Sequence, residues 1–508
     1  MALRAIARRA VAFCDMSQPI EVSFGLLPAI EALEREWRDL EERADCSFFT
    51  SWSWIGCWLE SLPPTVAPRL LRATAGTRTV GLAIFVPRAV RRHQLLSSRA
   101  LYLHATGDAR FDTLTIEANG FLLQQAQADE VARGMIDHLV NDHLQWDEVF
   151  LEATSQRPQT SPSDSSAVRV RQLERPTFYI DLQRIRSSDS DHFALLRSKV
   201  RYQIRRSIKA YAEHGPVRVR AATDLPQATE FFARMKELHQ VHWRSKGLPG
   251  AFASAFMCAF HNRLISRCFD RGEVQLLVVE AGERPIGYLY NFVHRGIVSN
   301  YQAGIDYDSP AAIHDNPGLA AHFLCARFNA NAGYRIYDLM QGDYEFKRRI
   351  CTDTGTLFWT ILQRPRLKFR IEESLRMLRA RWRRTTRQTV SATFEGAAPA
   401  CRSSRRPGGY ASPPDAARAL KGAGLAADGG QAQGDSPDPL NTPADGSGSG
   451  ANSGRHIGPP PEAPLQTSAL ASVVTTSTRT ATSLAEGAMH PSLSDVFALA
   501  QEPYNSAR

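Results

Sequence analysis

A chain of 508 residues with a net charge of +9 and 43% apolar residues is long enough for two or three domains with cores of their own. No apolar run approaches the roughly 20 residues that span a bilayer, and the short runs after Arg4, Arg8 and Arg9 fall below the core of a secretory signal. Eight cysteines, scattered without a C-x-x-C pair or a spacing to His that suggests a metal site, argue against a disulfide framework and for a reduced, cytoplasmic protein.

In chain order, Glu21 to Phe24 reads as a first strand and Pro28 to Ala44 as an amphipathic helix with Ile30, Leu33, Trp37 and Leu40 on one stripe. Trp52, Trp54, Ile55, Trp58 and Leu59 follow at helical spacing, which predicts core packing rather than a carbohydrate platform. Arg69 to Ala73 and Thr79 to Val86 flank Gly76 as a hairpin. Leu101 to Leu103, Thr113 to Ile116, a helix near Gln124 to His143 and a strand at Glu148 to Leu151 complete an α/β domain over residues 17–155. Within it, Thr106, Gly107, Asp108 and Asp112 form a polar loop that either faces a cleft or only turns the chain. The Ser-, Pro- and Thr-rich stretch from Gln156 to Ser166 reads as a linker.

The second domain spans 167–365. A strand at Thr177 to Leu182 leads into a long helix, Asp191 to His214, with Phe193, Leu196, Val200, Ile204, Ile208 and Tyr211 on one stripe and six basic residues between Arg197 and Lys209. That cationic face, Arg201 and Arg205 included, is either a solvated face or a surface for a phosphorylated partner. Val217 to Arg220 is a strand, Asp224 an N-cap and Pro226 to Trp243 a helix that puts His239 and Trp243 one turn apart on the same face. A further helix at Phe252 to Phe269 precedes three strands, Val274 to Glu280, Ile286 to Val293 and Ile297 to Ala303, joined by turns as a meander. Asn316 caps a helix that starts at Pro317, whose missing N–H costs nothing there, and stops near Gly333; a strand at Ile336 to Met340 completes a crossover. A polar loop ending in Lys347 and a last strand, Thr356 to Gln363, close the domain.

Between Arg364 and Arg387 the chain holds ten basic and two acidic residues, and Leu367, Ile371, Leu375, Leu378 and Trp382 make an apolar stripe. Residues 366–390 are therefore a basic amphipathic helix suited to the protein's own body, to an anionic membrane surface, or to nucleic acid. From 391 to 508 Ala, Gly, Ser, Pro and Thr dominate, and the composition predicts a disordered tail.

The meander feeding a crossover, the turn Asn316-Pro317-Gly318-Leu319-Ala320, Leu238-His239 with Trp243, Gly247-x-Pro249-Gly250-x-Phe252 and Gly342-Asp343-Tyr344-x-x-Lys347 resemble, in this order, the GNAT acyltransferases. The branch they resemble is that of the CelD-type proteins, associated with cellulose or exopolysaccharide synthesis and similar to the FemABX transferases, which carry two GNAT-like domains. The resemblance covers residues 17 to 365. It implies an α/β fold (α+β, GNAT-type) of two tandem GNAT-like domains, each a mixed sheet flanked by helices, with the first a degenerate copy lacking the Gly-x-Gly/Ala turn.

By the same resemblance the function is N-acyl transfer from acetyl-CoA or another acyl-CoA to an amine or hydroxyl acceptor, without a metal. Asn316, Gly318, Leu319 and Ala320 would hold the cofactor diphosphate, although Asp315 stands where the family has Gln or Arg. The backbone of Tyr301, Gln302 and Ala303 would meet the thioester and its oxyanion. His239 is the implied base, Tyr344 the acid for the leaving thiolate, Asp343 the group orienting an amine, and Lys347 a cation for donor or acceptor. Trp243, Arg201 and Arg205 are candidate acceptor contacts. The acceptor is a small molecule or saccharide, the partner the exopolysaccharide machinery, with weak contact to an anionic inner-membrane surface and none to DNA. Two other classes stay open: a transferase fed by aminoacyl-tRNA, and a non-catalytic adaptor of polysaccharide assembly.

Overall fold

Twelve strands run side by side in one continuous mixed sheet, and their order exposes a repeat. The computed structural model describes residues 18–92, 96–141, 145–158, 168–187, 192–307, 316–374 and 377, all within one unit of the chain. Asp315 and the tail from 391 lie outside them. In the first half, β1 (Ile20–Leu26) is followed by α1 (Ile30–Glu41), α2 (Trp52–Ser61), β2 (Arg69–Ala75), β3 (Arg78–Arg92), β4 (Leu96–Leu103), a two-residue β5 (Leu122–Leu123), α3 (Ala128–Val140) and β6 (Glu148–Thr154). β7 (Arg169–Asp181), α4 (Leu182–Ser187), α5 (His192–Leu195) and α6 (Ser198–Ala212) lead into the second half. There β8 (Val217–Ala221), α7 (Leu225–Ser245), α8 (Ala255–Cys268), β9 (Val274–Ala281), β10 (Arg284–His294), β11 (Ile297–Ile305), α9 (Pro317–Asn331), β12 (Ile336–Gln341), α10 (Glu345–Ile350) and β13 (Asp353–Gln363) complete the order.

Across the sheet the order is β1-β2-β3-β4-β6-β13-β7-β12-β11-β10-β9-β8, with β5 paired to β3 off this path. Read from either edge, four antiparallel strands are followed by one parallel step, β4 to β6 or β11 to β12, and then by an antiparallel strand. That sixth strand is exchanged. β13, from the end of the second half, pairs with β6, and β7, which follows the first half in sequence, pairs with β12. β7 and β13 then pair with each other over 11 residue pairs and close the sheet in the middle. The two expected sheets are thus one, because each half lends the other its last strand.

Local signals place most elements. Asp224 caps α7, its carboxylate accepting from the Gln227 N–H at 2.8 Å, and Ser254 caps α8 in the same way. Trp37, Trp54 and Trp58 are fully buried, as the helical spacing predicts. Two expectations fail. Thr113 to Ile116 is not a strand but a turn and loop, from which Thr113 meets Ser254 and Thr115 meets Tyr301 in the second half. The long helix from Asp191 is broken, because Arg197 is extended (ψ 145°), which lets both Phe193 and Leu196 turn into the core with Phe323. The polar loop at 106–112 turns the chain and pairs internally: Asp112 accepts from the Thr106 N–H and hydroxyl, and Asp108 from Arg88 and Arg110.

Of the basic amphipathic helix, residues 367–374 are described as helical. They rest on the body through Phe369 and through Lys368, which reaches Asp147 at 2.6 Å and the Ser97 carbonyl at 2.7 Å. Leu367 and Ile371, the start of the apolar stripe, point outward and are 69% and 46% exposed. Docking of that stripe on the protein's own body is therefore not what this turn shows.

Candidate active site

β11 and β12 pair over three rungs, Ile297 with Ile336, Val298 with Tyr337 and Ser299 with Asp338, and then part. The cause lies in both strands. In β11, Tyr301 is the extra residue of a bulge, since Tyr290 of β10 faces Gln302 while Asn291 faces Asn300, and a bulge bends its strand. In β12, Met340 sits in the left-handed region at φ 62°, a conformation that costs a non-glycine residue about 1–3 kcal/mol and persists where the surroundings impose it.

Three side chains hold the end of β12 that has lost β11 as its neighbour, while Gln341 still pairs with Thr177 of β7. Asp338 accepts from the Met340 N–H at 2.7 Å. Lys347 on α10 donates to the carbonyl of Gln341 at 2.5 Å and to that of Met340 at 3.3 Å. Glu117, from the first-half loop, accepts from the Gln341 N–H at 2.6 Å. The same loop reaches β11, where the Thr115 N–H donates to the Tyr301 hydroxyl at 3.2 Å. The second half's opening thus has a wall supplied by the first.

Burial sets the electrostatics of this group. It raises the Glu117 carboxyl well above the ordinary range against the opposing pull of Lys347, and it lowers the Lys347 ammonium against the pull of Glu117 and Asp338. Asp338 is pushed up to about 6 by the same burial. Tyr301 and Tyr344 are raised by burial too, so both phenols hold their protons at neutral pH.

The helix start expected at Pro317 is present. α9 starts at Pro317 with no acidic residue in its first turn. The Ala320 N–H is used by the Asn316 carbonyl at 3.1 Å, while Gly318 and Leu319 are the next backbone donors of the orphan set at a helix start. The side chains of Leu319 and Ala320 are buried, so their part would be played by backbone. The Tyr307 hydroxyl stands over Gly318, 2.9 Å from where a Cβ would be.

Other expected residues are placed differently. His239 is buried against Phe252, and both ring nitrogens are engaged at 3.3 Å, Nε2 accepting from the Ala251 N–H and Nδ1 facing the Ala303 carbonyl. This fixes a neutral ring with Nδ1 as donor and no free lone pair, and burial pushes it down to about 4. The ring fastens α7 to β11, and the role of base does not fit it. Trp243 packs beside His239 at 5.8 Å. Asp343 gives its carboxylate to Arg348 in an exposed ion pair instead of facing the opening. Tyr344 stands at the N-terminal boundary of α10 without a side-chain cap bond, with Lys347 Nζ 5.4 Å from its ring. Arg205 lies over the Phe193 ring at 4.9 Å on α6; the structure brings neither it nor Arg201 into the group around Tyr301 and Lys347. Glu117 was invisible in sequence, because nothing local marks a loop carboxylate 224 residues from its partner Gln341.

The first half differs at the corresponding place. β4 and β6 also part after three rungs, but its own chain fills the opening: the Asn119 N–H donates to Ala153 and the Asn119 carbonyl accepts from Ser155. His104 locks this plug, with Nδ1 2.8 Å from Asn119 Oδ1. The helix that corresponds to α9 is α3, and its first turn carries Asp129 and Glu130, which repel a diphosphate. A cavity of about 740 Å³ does open beside it, lined by Asp45, Asn119, Phe121, Asp129, Arg133 and Arg157 among others, with charges of both signs.

Residues 198–348 match the family model described as an acetyltransferase (GNAT) domain. No curated protein matches the chain. Among solved structures it is similar to FemX, at 9% identity and a TM-score of 0.44 over 66% of this chain and 96% of that one. It is also similar to a tandem GNAT protein from the clavulanic acid biosynthesis pathway, at 12% identity and a TM-score of 0.35 over 67% and 98%. A third is the C-terminal domain of a putative lysylphosphatidylglycerol synthetase from Agrobacterium fabrum, at 10% and 0.38 over 66% and 93%. The chain carries a GNAT acetyltransferase domain, and the fold is mixed α/β, GNAT-like.

Proposed function

Taking residues 198–348 as a GNAT acetyltransferase domain, we propose that the chain is an acyl-CoA-dependent N-acyltransferase whose reacting centre is the opening between β11 and β12. The observation that carries this reading is the pairing of that opening with an acid-free helix start at Gly318. A thioester lying along β11 would have its diphosphate at the backbone donors of Gly318 and Leu319, where the helix dipole and orphan N–H groups favour an anion. The backbone about Tyr301, Gln302 and Ala303 would face the developing oxyanion.

Glu117 takes the role of base. Its raised pKa keeps it near the point where it is still present as carboxylate yet basic enough to take the proton of an attacking amine, and one of its oxygens is fixed by Gln341. The amine attacks the thioester carbonyl, its proton passes to Glu117, and collapse of the tetrahedral adduct expels the CoA thiolate, which takes a proton from Tyr344. Lys347 positions the carbonyls of Met340 and Gln341 and tunes Glu117 rather than touching the reacting atoms. The resemblance to CelD-type proteins supports an amino sugar or other saccharide precursor of an exopolysaccharide as acceptor.

The test is calorimetric binding of acetyl-CoA to the full chain, followed by transfer of labelled acetyl to amino-sugar acceptors without tRNA. Binding and transfer are expected. Binding without transfer to any amine would favour the adaptor; activity only with aminoacyl-tRNA would replace the donor.

A further inference from the structure

Glu41, Cys46 and His294 converge where the C-terminal end of α1 meets the turn between β10 and β11. Cys46 Sγ lies 3.2 Å from His294 Nε2 across 248 residues of sequence, and one ligand atom from each of the three residues falls within 4.8 Å of the other two. We propose that this cluster is a zinc site that staples the first half to the second.

The donor set selects the metal. A thiolate, an imidazole nitrogen and a carboxylate oxygen suit Zn²⁺, whereas Ca²⁺ and Mg²⁺ require oxygen shells. The Cys46 to His294 distance of 3.2 Å is close to the required spacing, since ligands at about 2.0–2.3 Å from a tetrahedral zinc lie about 3.3–3.8 Å apart, and the carboxylate oxygen lies within 4.8 Å of both. Glu41 and His294 are also held from behind. Glu41 Oε2 accepts from the Trp52 N–H at 2.9 Å, which orients the carboxylate and leaves Oε1 for a metal. The His294 ring packs edge-on against Phe48 at 6.5 Å. Arg295, the neighbouring cation, commits its guanidinium to the carbonyls of Ala44 and Glu41, so that it ties down the backbone between two ligands. Three protein ligands leave a fourth position for water.

The placement points to structure rather than acyl transfer. His294 precedes Ile297, at the closed end of the β11–β12 pair, whereas Tyr301 lies four residues further along β11, roughly 13 Å at strand rise. Binding replaces the Cys46 S–H bond with an S–Zn bond and releases the proton to solvent. It also joins α1 to the end of β10, the antiparallel neighbour of β11, and it is β11 whose Tyr301 meets the Thr115 N–H.

The experiment uses the full chain, purified without added chelator, dialysed against micromolar zinc and then metal-free buffer, and analysed by mass spectrometry for zinc. About one equivalent is expected. Replacement by Co²⁺ should give a thiolate-to-cobalt charge-transfer band in the near ultraviolet. Cys46→Ser should abolish that band and weaken zinc binding by about tenfold or more, while Cys258→Ser leaves both unchanged. A folded wild-type chain that retains no zinc and gives no thiolate band overturns the proposal, leaving a thiol-to-imidazole hydrogen bond alone. So does a Cys46→Ser protein that keeps the wild-type metal content and spectrum. The cobalt spectrum of the wild type decides the matter even where a variant fails to fold.

Discussion

Glu117 and His239 separate cleanly as candidates for the proton acceptor, because one is a carboxyl raised by burial with an oxygen to spare and the other a ring with both nitrogens bonded. Glu117→Gln keeps the acceptor for the Gln341 N–H and removes the base, so kcat should fall by about 10²–10⁴-fold with acyl-CoA binding retained. In the parent, kcat/KM should fall as pH drops through the raised Glu117 value, on a limb well above the about 4.3 of an ordinary glutamate, and that limb should vanish in the variant. His239→Gln, by contrast, should stay within about tenfold of the parent, since a base would cost at least about 10²-fold. His239 affects acid stability instead. Its folded value, near 4, lies below the unfolded 6.5, so the unfolded chain binds the extra proton. Stability from the neutral ring is complete above 6.5 and is lost as pH falls through about 4. Chemical denaturation of the parent and His239→Gln across that window measures it; equal slopes would remove His239 from the account.

At the scale of elements, the helix start at Gly318 and the helix beyond Gln363 each carry a test. Gly318→Asp places a Cβ 2.9 Å from the Tyr307 hydroxyl and a negative charge among the first backbone donors of α9. Acyl-CoA affinity should fall at least about tenfold, or 1.4 kcal/mol; Gly318→Ala, which meets the Tyr307 hydroxyl without adding a charge, separates crowding from charge. Unchanged affinity in a folded Gly318→Asp protein would place the cofactor elsewhere. The basic helix offers Leu367 and Ile371 outward while Phe369 and Lys368 hold the body, and its arginines suit an anionic surface. Leu367→Ser with Ile371→Ser should weaken co-sedimentation with anionic vesicles, and binding by the parent should decline with salt as charges are screened over about 10 Å at 0.1 M. Truncation at Gln363 is a poor substitute, because it removes buried Arg364, which stacks on Trp146 and bonds Asn141.

For the whole molecule, the exchanged strands make the halves interdependent. β6 has β13 for its central neighbour, and β12 has β7, so a first half expressed alone as residues 1–166 would expose the β6 edge and lose Leu362 from its core. Such a fragment should be aggregated or unfolded by circular dichroism, and recover when co-expressed with residues 167–377. A soluble 1–166 fragment that melts cooperatively at the parent temperature would refute the interdependence.

The sequence by itself determined what depends on near neighbours. The α7 cap at Asp224, the α9 bounds from Pro317 to Asn331, the buried Trp54 and Trp58 and most of the order of strands and helices follow from capping and periodicity within a few residues. Tertiary structure decided what depends on residues far apart in the chain. The sharing of β7 and β13, the Asn119 plug, the capture of His239 by Ala303 and Ala251, and the arrival of Glu117 at Gln341 each join segments whose own patterns carry no trace of the partner. The physical reason is that backbone groups freed where β11 and β12 part must be satisfied by something. In this fold the nearest available groups are Lys347 from the following helix and Glu117 from the other half.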